Sequence, residues 1–182
     1  SVVTTLIAAF EIFLYNQTGQ EDIVLGLPAA GQLASEQFRV VGHCVNLLPL
    51  RSKILPEIPF IEFLKKRRDE LYDVYDNQRL TFSELLKKLN IRRDQSTIPL
   101  VPIVFNVDKG MDDNVKFEGL RHEIFSNPRV CQTFEISLNV NGSKDAVFFE
   151  WAYNTQLFKS ETIERMMFDF ENLLVAFTSN PE

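Results

Sequence analysis

The stretch from Phe134 to Tyr153 constrains the fold more than any other part of the chain. Phe134, Ile136, Leu138 and Val140 alternate with Thr133, Glu135, Ser137 and Asn139. After a polar Asn-Gly-Ser-Lys-Asp break, Val147, Phe149, Trp151 and Tyr153 alternate with Phe148, Glu150 and Ala152. Successive strand residues point to opposite faces, so this pattern predicts a β-hairpin with one buried face. The material to cover that face follows directly. A helix predicted to be capped at Ser160 carries Ile163, Met166, Met167, Phe170, Leu173, Leu174 and Phe177 on one side.

Upstream, Leu6, Phe10, Phe13 and Leu14 recur at helical spacing straight after Ser1-Val2-Val3-Thr4-Thr5, as if a longer chain had been cut just before a helix. Ile23 to Leu27 reads as a buried strand ended by Pro28, and Val40 to Arg51 as a strand made irregular or edge-like by Pro49. From Pro59 the period becomes helical again through Phe60, Phe63, Leu64, Leu71, Val74 and Tyr75. Thr81 and Glu84 have the spacing of a capping box ahead of Leu85, Leu86 and Leu89. Leu100 to Val107 is a further strand candidate. With 182 residues, 45% of them hydrophobic, the chain can bury one core. The order of elements predicts a single α/β sandwich with a mixed sheet.

Charge and composition exclude several classes of function. The net charge is −6 and the basic residues sit in mixed clusters such as Lys65 to Glu70, read as a solvated helix face, so no nucleic-acid surface is expected. The apolar run Leu6 to Tyr15 is interrupted by Glu11, is too short to cross a bilayer and lacks a cationic leader and cleavage site, which points to a soluble protein, and the sparse cysteines make a reducing cytoplasm the default setting. Cys44 and Cys131, far apart and each in an apolar context, are expected to be small buried hydrophobes rather than a disulfide or metal set. His43 and Cys44 are adjacent, which on a strand puts them on opposite faces, and no second ligand pair accompanies them. His43 and His122 therefore read as packing residues, and Asp112-Asp113 as a solvated loop. Residues 26 to 31 hold too few glycines for a phosphate loop. On the residues alone, the chain is a soluble α/β domain without an evident catalytic centre.

Five segments, in order, resemble condensation domains of non-ribosomal peptide synthetases. Leu6 to Pro28 is similar to that family's helix-turn-strand, L-L-A-A-F…GQ-D-I-V-x-G-x-P. Val41, Gly42, Val45, Asn46, Leu48 and Arg51 match its VGxFVNTLxxR motif. Asn77, Gln78, Phe82, Leu85, Leu86 and Leu89 match HQDxPFExLVxxL. Arg93, Asp94, Ser96, Pro99, Leu100, Phe105 and Asn106 match RDxSRxPLFQVxFN. Tyr153 to Phe158, the last helix and Asn180-Pro181 resemble the family's ending. Departures are Gln32 where Arg is common, His43 and Cys44 in usually bulky or aromatic positions, Arg79 and Thr81 for Asp and Pro, and Thr97 for Arg.

The family's HHxxxDG motif, whose second histidine is held to orient or deprotonate the attacking amine, has no counterpart, because the only histidines are His43 and His122. The resemblance thus implies that residues 1–182 are the C-terminal lobe of a condensation domain, one lobe of a chloramphenicol-acetyltransferase-like fold, with no catalytic residue of its own and no metal. It implies partners too: the missing N-terminal lobe, upstream and downstream peptidyl carrier domains, and an adjacent adenylation domain. No cofactor would be bound directly, since substrates arrive on carrier phosphopantetheine. Asn46, with Gly42, is expected either to face the active-site tunnel or, as a buried amide, to satisfy a strand end. Arg93, Asp94 and Gln78 are expected at the lobe interface or as structural links; for Arg93 and Asp94 a surface ion pair is the alternative. An epimerisation or heterocyclisation relative, or a non-catalytic recruiting module, shares the fold. A lobe without its mate exposes apolar surface, so light scattering should rise with concentration; a strictly monomeric chain would contradict this.

Overall fold

The computed structural model describes residues 1–32, 39–91, 98–109, 117–121, 127, 130–142 and 147–180. The alternating segment forms β4 (Ile136–Gly142) and β5 (Val147–Tyr153) of a five-stranded sheet with β1 (Asp22–Ala30), β2 (Val45–Lys53) and β3 (Ile103–Lys109). The spatial order is β2-β1-β3-β4-β5. β1, β3 and β4 are parallel, and each edge strand is antiparallel to its neighbour. The helices with both ends among the described residues are α1 (Val2–Thr18), α2 (Phe60–Asp76), α3 (Phe82–Lys88) and α4 (Ser160–Ser179). This is the expected mixed sheet with helices packed on it.

Register explains which face is covered. Leu138 pairs with Trp151 and Val140 with Phe149, so the apolar members of the hairpin share one side. Phe10 of α1 lies 5.5 Å, centroid to centroid, from both Phe105 and Phe170, while Trp151 meets Phe170 edge-on at 6.0 Å. These tilted and edge-to-face contacts suit the ring quadrupoles and lock α1 and α4 onto the sheet. On the other side, the Asn106 amide donates to Asn139 at 2.8 Å, and Asn139 donates to Asn141 at 3.2 Å. The three asparagines cluster on that face, which elsewhere carries apolar side chains such as Val104 and Leu47 beside Gly26.

Several boundaries differ from the sequence pattern. β1 continues through Pro28, which lies beyond the last β1–β3 pair at Gly26, so no ladder bond on that side needs its missing N–H. Pro28↔Leu47 and Gly26↔Pro49 have the same parity, so both prolines fit non-hydrogen-bonded pairs, and Pro49 leaves edge strand β2 a poor template for further pairing. β2 starts at Val45 rather than Val40. β3 starts at Ile103 because Leu100 has φ 73°, which breaks an extended chain. Ser160 is the first residue of α4 rather than its cap; Lys159 takes the cap position without a side-chain bond. The Thr81–Glu84 capping box is present as expected. Cys131, expected to be buried, is exposed in the irregular segment before β4, and Cys44 is half-buried. Arg93, Asp94, Asp112, Asp113, His122 and the hairpin turn lie outside the described residues.

The stretch Lys65 to Glu70 is not wholly solvated either, because the Arg67 side chain is fully buried. Its Nε lies 3.1 Å from Oε2 of Glu11, also fully buried; Nη1 donates to the Arg51 carbonyl at 3.3 Å, and Nη2 pairs with Glu70. One guanidinium thereby joins α1, α2 and β2. Burial pushes the Glu11 carboxyl up to about 8, against the opposing pull of Arg67 and the Ser52 hydroxyl, with Glu70 adding to the rise. Because Arg67 already has an anion in Glu70, a neutral Glu11 leaves the cluster balanced. Neither Glu11 oxygen has an aligned hydrogen bond among the described residues, which a neutral carboxyl tolerates better than a carboxylate.

The folded chain holds this proton up to about pH 8, whereas the unfolded chain releases it near the ordinary value of 4.5. The stabilisation is therefore complete below pH 4.5, declines as pH rises, and is gone above about 8. Denaturant titrations across that window should show this decline in the wild type and its disappearance in Glu11→Gln; equal slopes would refute the assignment. Arg67→Ala should cost about 3–5 kcal/mol by removing one partner of a buried charge group.

Candidate functional site

The site grows from a meeting of two chain segments distant in sequence. α2 ends at Asp76, and the following turn is closed by the Gln78 N–H on the Tyr75 carbonyl and the Leu80 N–H on the Asn77 carbonyl, each 3.2 Å. Thr81 then caps α3. Its N–H and hydroxyl donate to the Glu84 carboxylate at 3.0 and 2.7 Å, and the Glu84 N–H donates back to the Thr81 hydroxyl at 3.3 Å. These donors hold the Glu84 carboxyl below its usual range.

Asn46, paired with Ala29, lies on the helix-covered face of β2. Its Nδ2 donates to the carbonyls of Gln78 and Leu80, each at 3.0 Å, and its Oδ1 accepts from the Phe82 N–H at 3.1 Å. A first-turn N–H of α3 and two turn carbonyls are satisfied by one side chain.

Between the leading end of β2 and this turn lies an open cavity of about 770 Å³. Gly31, His43 and Cys44 line one side, Gln78, Arg79 and Thr81 the other, and Asn46 lies between them. The volume falls within the range of small-molecule sites. The end of β1 is pinned beside it by the Gly31 N–H donating to the Cys44 carbonyl at 2.6 Å, and a Cβ on Gly31 would collide with that oxygen.

The structure thus brings Asn46 and Gln78 together, the latter through its backbone carbonyl. Gly42 is exposed with open space around it and does not line the cavity. His43 is exposed beside the cavity, and no group of His, Cys, Asp and Glu that could hold a metal occurs among the described residues. Two features had little or no sequence signal. Glu11 interrupting an apolar run hinted at the buried ion group, but nothing marked Arg67 as its partner. Gly31 carries no sequence mark of its close contact with the Cys44 carbonyl, since residues 26 to 31 match no glycine motif.

The family model of the condensation domain matches residues 1–182. The chain belongs to the condensation domain family. It is 34% identical over 179 residues to gramicidin S synthase 2 of Aneurinibacillus migulanus, an alignment covering 97% of this chain and 4% of that protein. In fold it is similar to the condensation domain of the monacolin K polyketide synthase MokA, with a TM-score of 0.84 at 19% identity, covering 98% of this chain and 41% of that one. It is also similar to holo-AB3403, a four-domain nonribosomal peptide synthetase bound to AMP and glycine, with a TM-score of 0.88 at 19% identity, covering 100% of this chain and 15% of that one. This condensation-domain chain therefore spans a small part of its synthetase relatives and under half of a solved condensation domain.

Gly31→Ala should cost about 1–3 kcal/mol, because the added methyl must displace backbone rather than a flexible side chain. Chemical denaturation of the two proteins measures this, and an unchanged midpoint would mean that the Gly31–Cys44 closure is dispensable.

Proposed function

We propose that this chain is the C-terminal lobe of a condensation domain that forms an amide bond in an intact non-ribosomal peptide synthetase. The family match over residues 1–182, read with the 41% coverage of a solved condensation domain, carries this reading. The catalytic HHxxxDG belongs in this proposal to an N-terminal lobe supplied by the longer protein. The α-amine of one carrier-bound aminoacyl group attacks the thioester carbonyl of another carrier-bound acyl or peptidyl group. The C–N bond forms, the C–S bond breaks, the amine loses a proton and the phosphopantetheine leaves as a thiol. Thioester aminolysis is downhill, so the domain's work is positioning and amine deprotonation.

In this reading the cavity over Asn46 forms part of the tunnel wall, with Gly42 near its mouth, and Gln78, Arg93 and Asp94 serve structural links and the lobe interface. The partners are the N-terminal lobe, the carrier domains on either side and an adenylation domain, in the cytoplasm. The isolated lobe is inactive. No helix among the described residues is long and apolar enough to cross a membrane.

Joining the lobe to its N-terminal partner should restore aminolysis of a carrier-bound thioester, and the 182-residue chain alone should give none above background. Intact-protein mass spectrometry of the acceptor carrier reads the outcome. Turnover by the lone chain would overturn the lobe assignment; an epimerised or cyclised product would reassign the chemistry. An inactive joined protein would indicate a recruiting module.

A further inference from the structure

The strongest unassigned feature is the Asn46 amide, because its bonding leaves little for a ligand. Both N–H groups are used at 3.0 Å, on Gln78 and Leu80, and one of the two oxygen lone pairs is used at 3.1 Å, on Phe82. All three partners are backbone atoms, so the bond set does not depend on which side chains occupy the turn. The bonds close loops across 32, 34 and 36 residues, joining an edge strand to the connection between two helices. The same connection supplies Gln78, Arg79 and Thr81 to the wall of the 770 Å³ cavity. Releasing the amide would free that wall from β2 while leaving the sheet intact.

We propose that Asn46 is a positioning residue: it clamps the α2–α3 connection to β2 and so sets the shape of the cavity, without its amide donating to substrate. This rests on the condensation reading for its kinetic arm but not for its structural arm. A residue of this kind acts on how well substrate is seated, so its loss raises KM more than it lowers kcat. A loss of folded protein alone would lower the active fraction, and hence kcat, with KM unchanged.

The test uses Asn46→Ala and Asn46→Asp in the intact condensation domain, read by amide hydrogen exchange and by steady-state aminolysis. In Asn46→Ala, protection of the Phe82 N–H should fall about tenfold, the equivalent of one lost hydrogen bond, while β4 amides keep theirs. KM should rise about three- to tenfold with kcat within about twofold. Asn46→Asp keeps an acceptor for Phe82 and loses both donors, so Phe82 protection should persist while KM still rises. A tenfold or larger fall in kcat, with KM and Phe82 exchange unchanged, would overturn the proposal and place the amide on the reacting groups. Wild-type KM in both variants would overturn it as well. If Asn46→Ala loses β4 protection, it has unfolded and Asn46→Asp decides. If the wild-type domain shows no aminolysis, the functional reading fails, and Phe82 exchange still decides whether the clamp exists.

Discussion

The burial of Arg67 is the constraint on which the arrangement of the helices depends. A guanidinium cannot be neutralised in a protein, so a fully buried one has to be surrounded by acceptors or it destabilises the fold. Here its surroundings come from three elements: the Arg51 carbonyl of β2 and Glu70 of α2 itself accept from it, and the Glu11 carboxyl of α1 lies 3.1 Å from Nε. The Phe63 ring, 5.5 Å from the guanidinium carbon, covers another side. Hydrophobic contact alone would let α2 slide along α1, because apolar packing has little direction. The charge group fixes the offset.

That offset has a consequence at the other end of α2. Once the helix is placed against β2, its C-terminal turn falls within reach of Asn46, and the amide can collect Gln78, Leu80 and Phe82 in one set of bonds. The capping box of α3 then continues the ordering through Thr81 and Glu84. Charge burial, strand register and helix capping thus converge on one cavity wall. The opposite, amide-bearing face of the sheet takes no part in this chain of contacts.

Much of the fold was legible because hydrophobic periodicity is a local property. The hairpin, α1, α2, α4 and the α3 capping box could be found from spacing alone. The errors cluster where nonlocal pairing overrides local chemistry. Pro28 reads as a strand end, yet β1 continues to Ala30 because β2 pairs it throughout, while its pairing with β3 ends at Gly26. Ser160 looked like a cap, yet the helix begins one residue earlier in register. Arg67 reads as solvated among five other charged residues, since a helix surface pattern does not say which side meets a buried carboxyl group.

The candidate site divides in the same way. The order of family motifs is written in the sequence, and it singles out Asn46 and Gln78. Sequence also determined the strand alternation and helix periods, because these follow from backbone geometry. Only the tertiary structure decided what Asn46 does with its amide. Its partners are backbone groups 32 to 36 residues away, and backbone atoms carry no sequence signature. The same holds for the raised carboxyl of Glu11, whose state depends on burial and on neighbours that folding alone brings together.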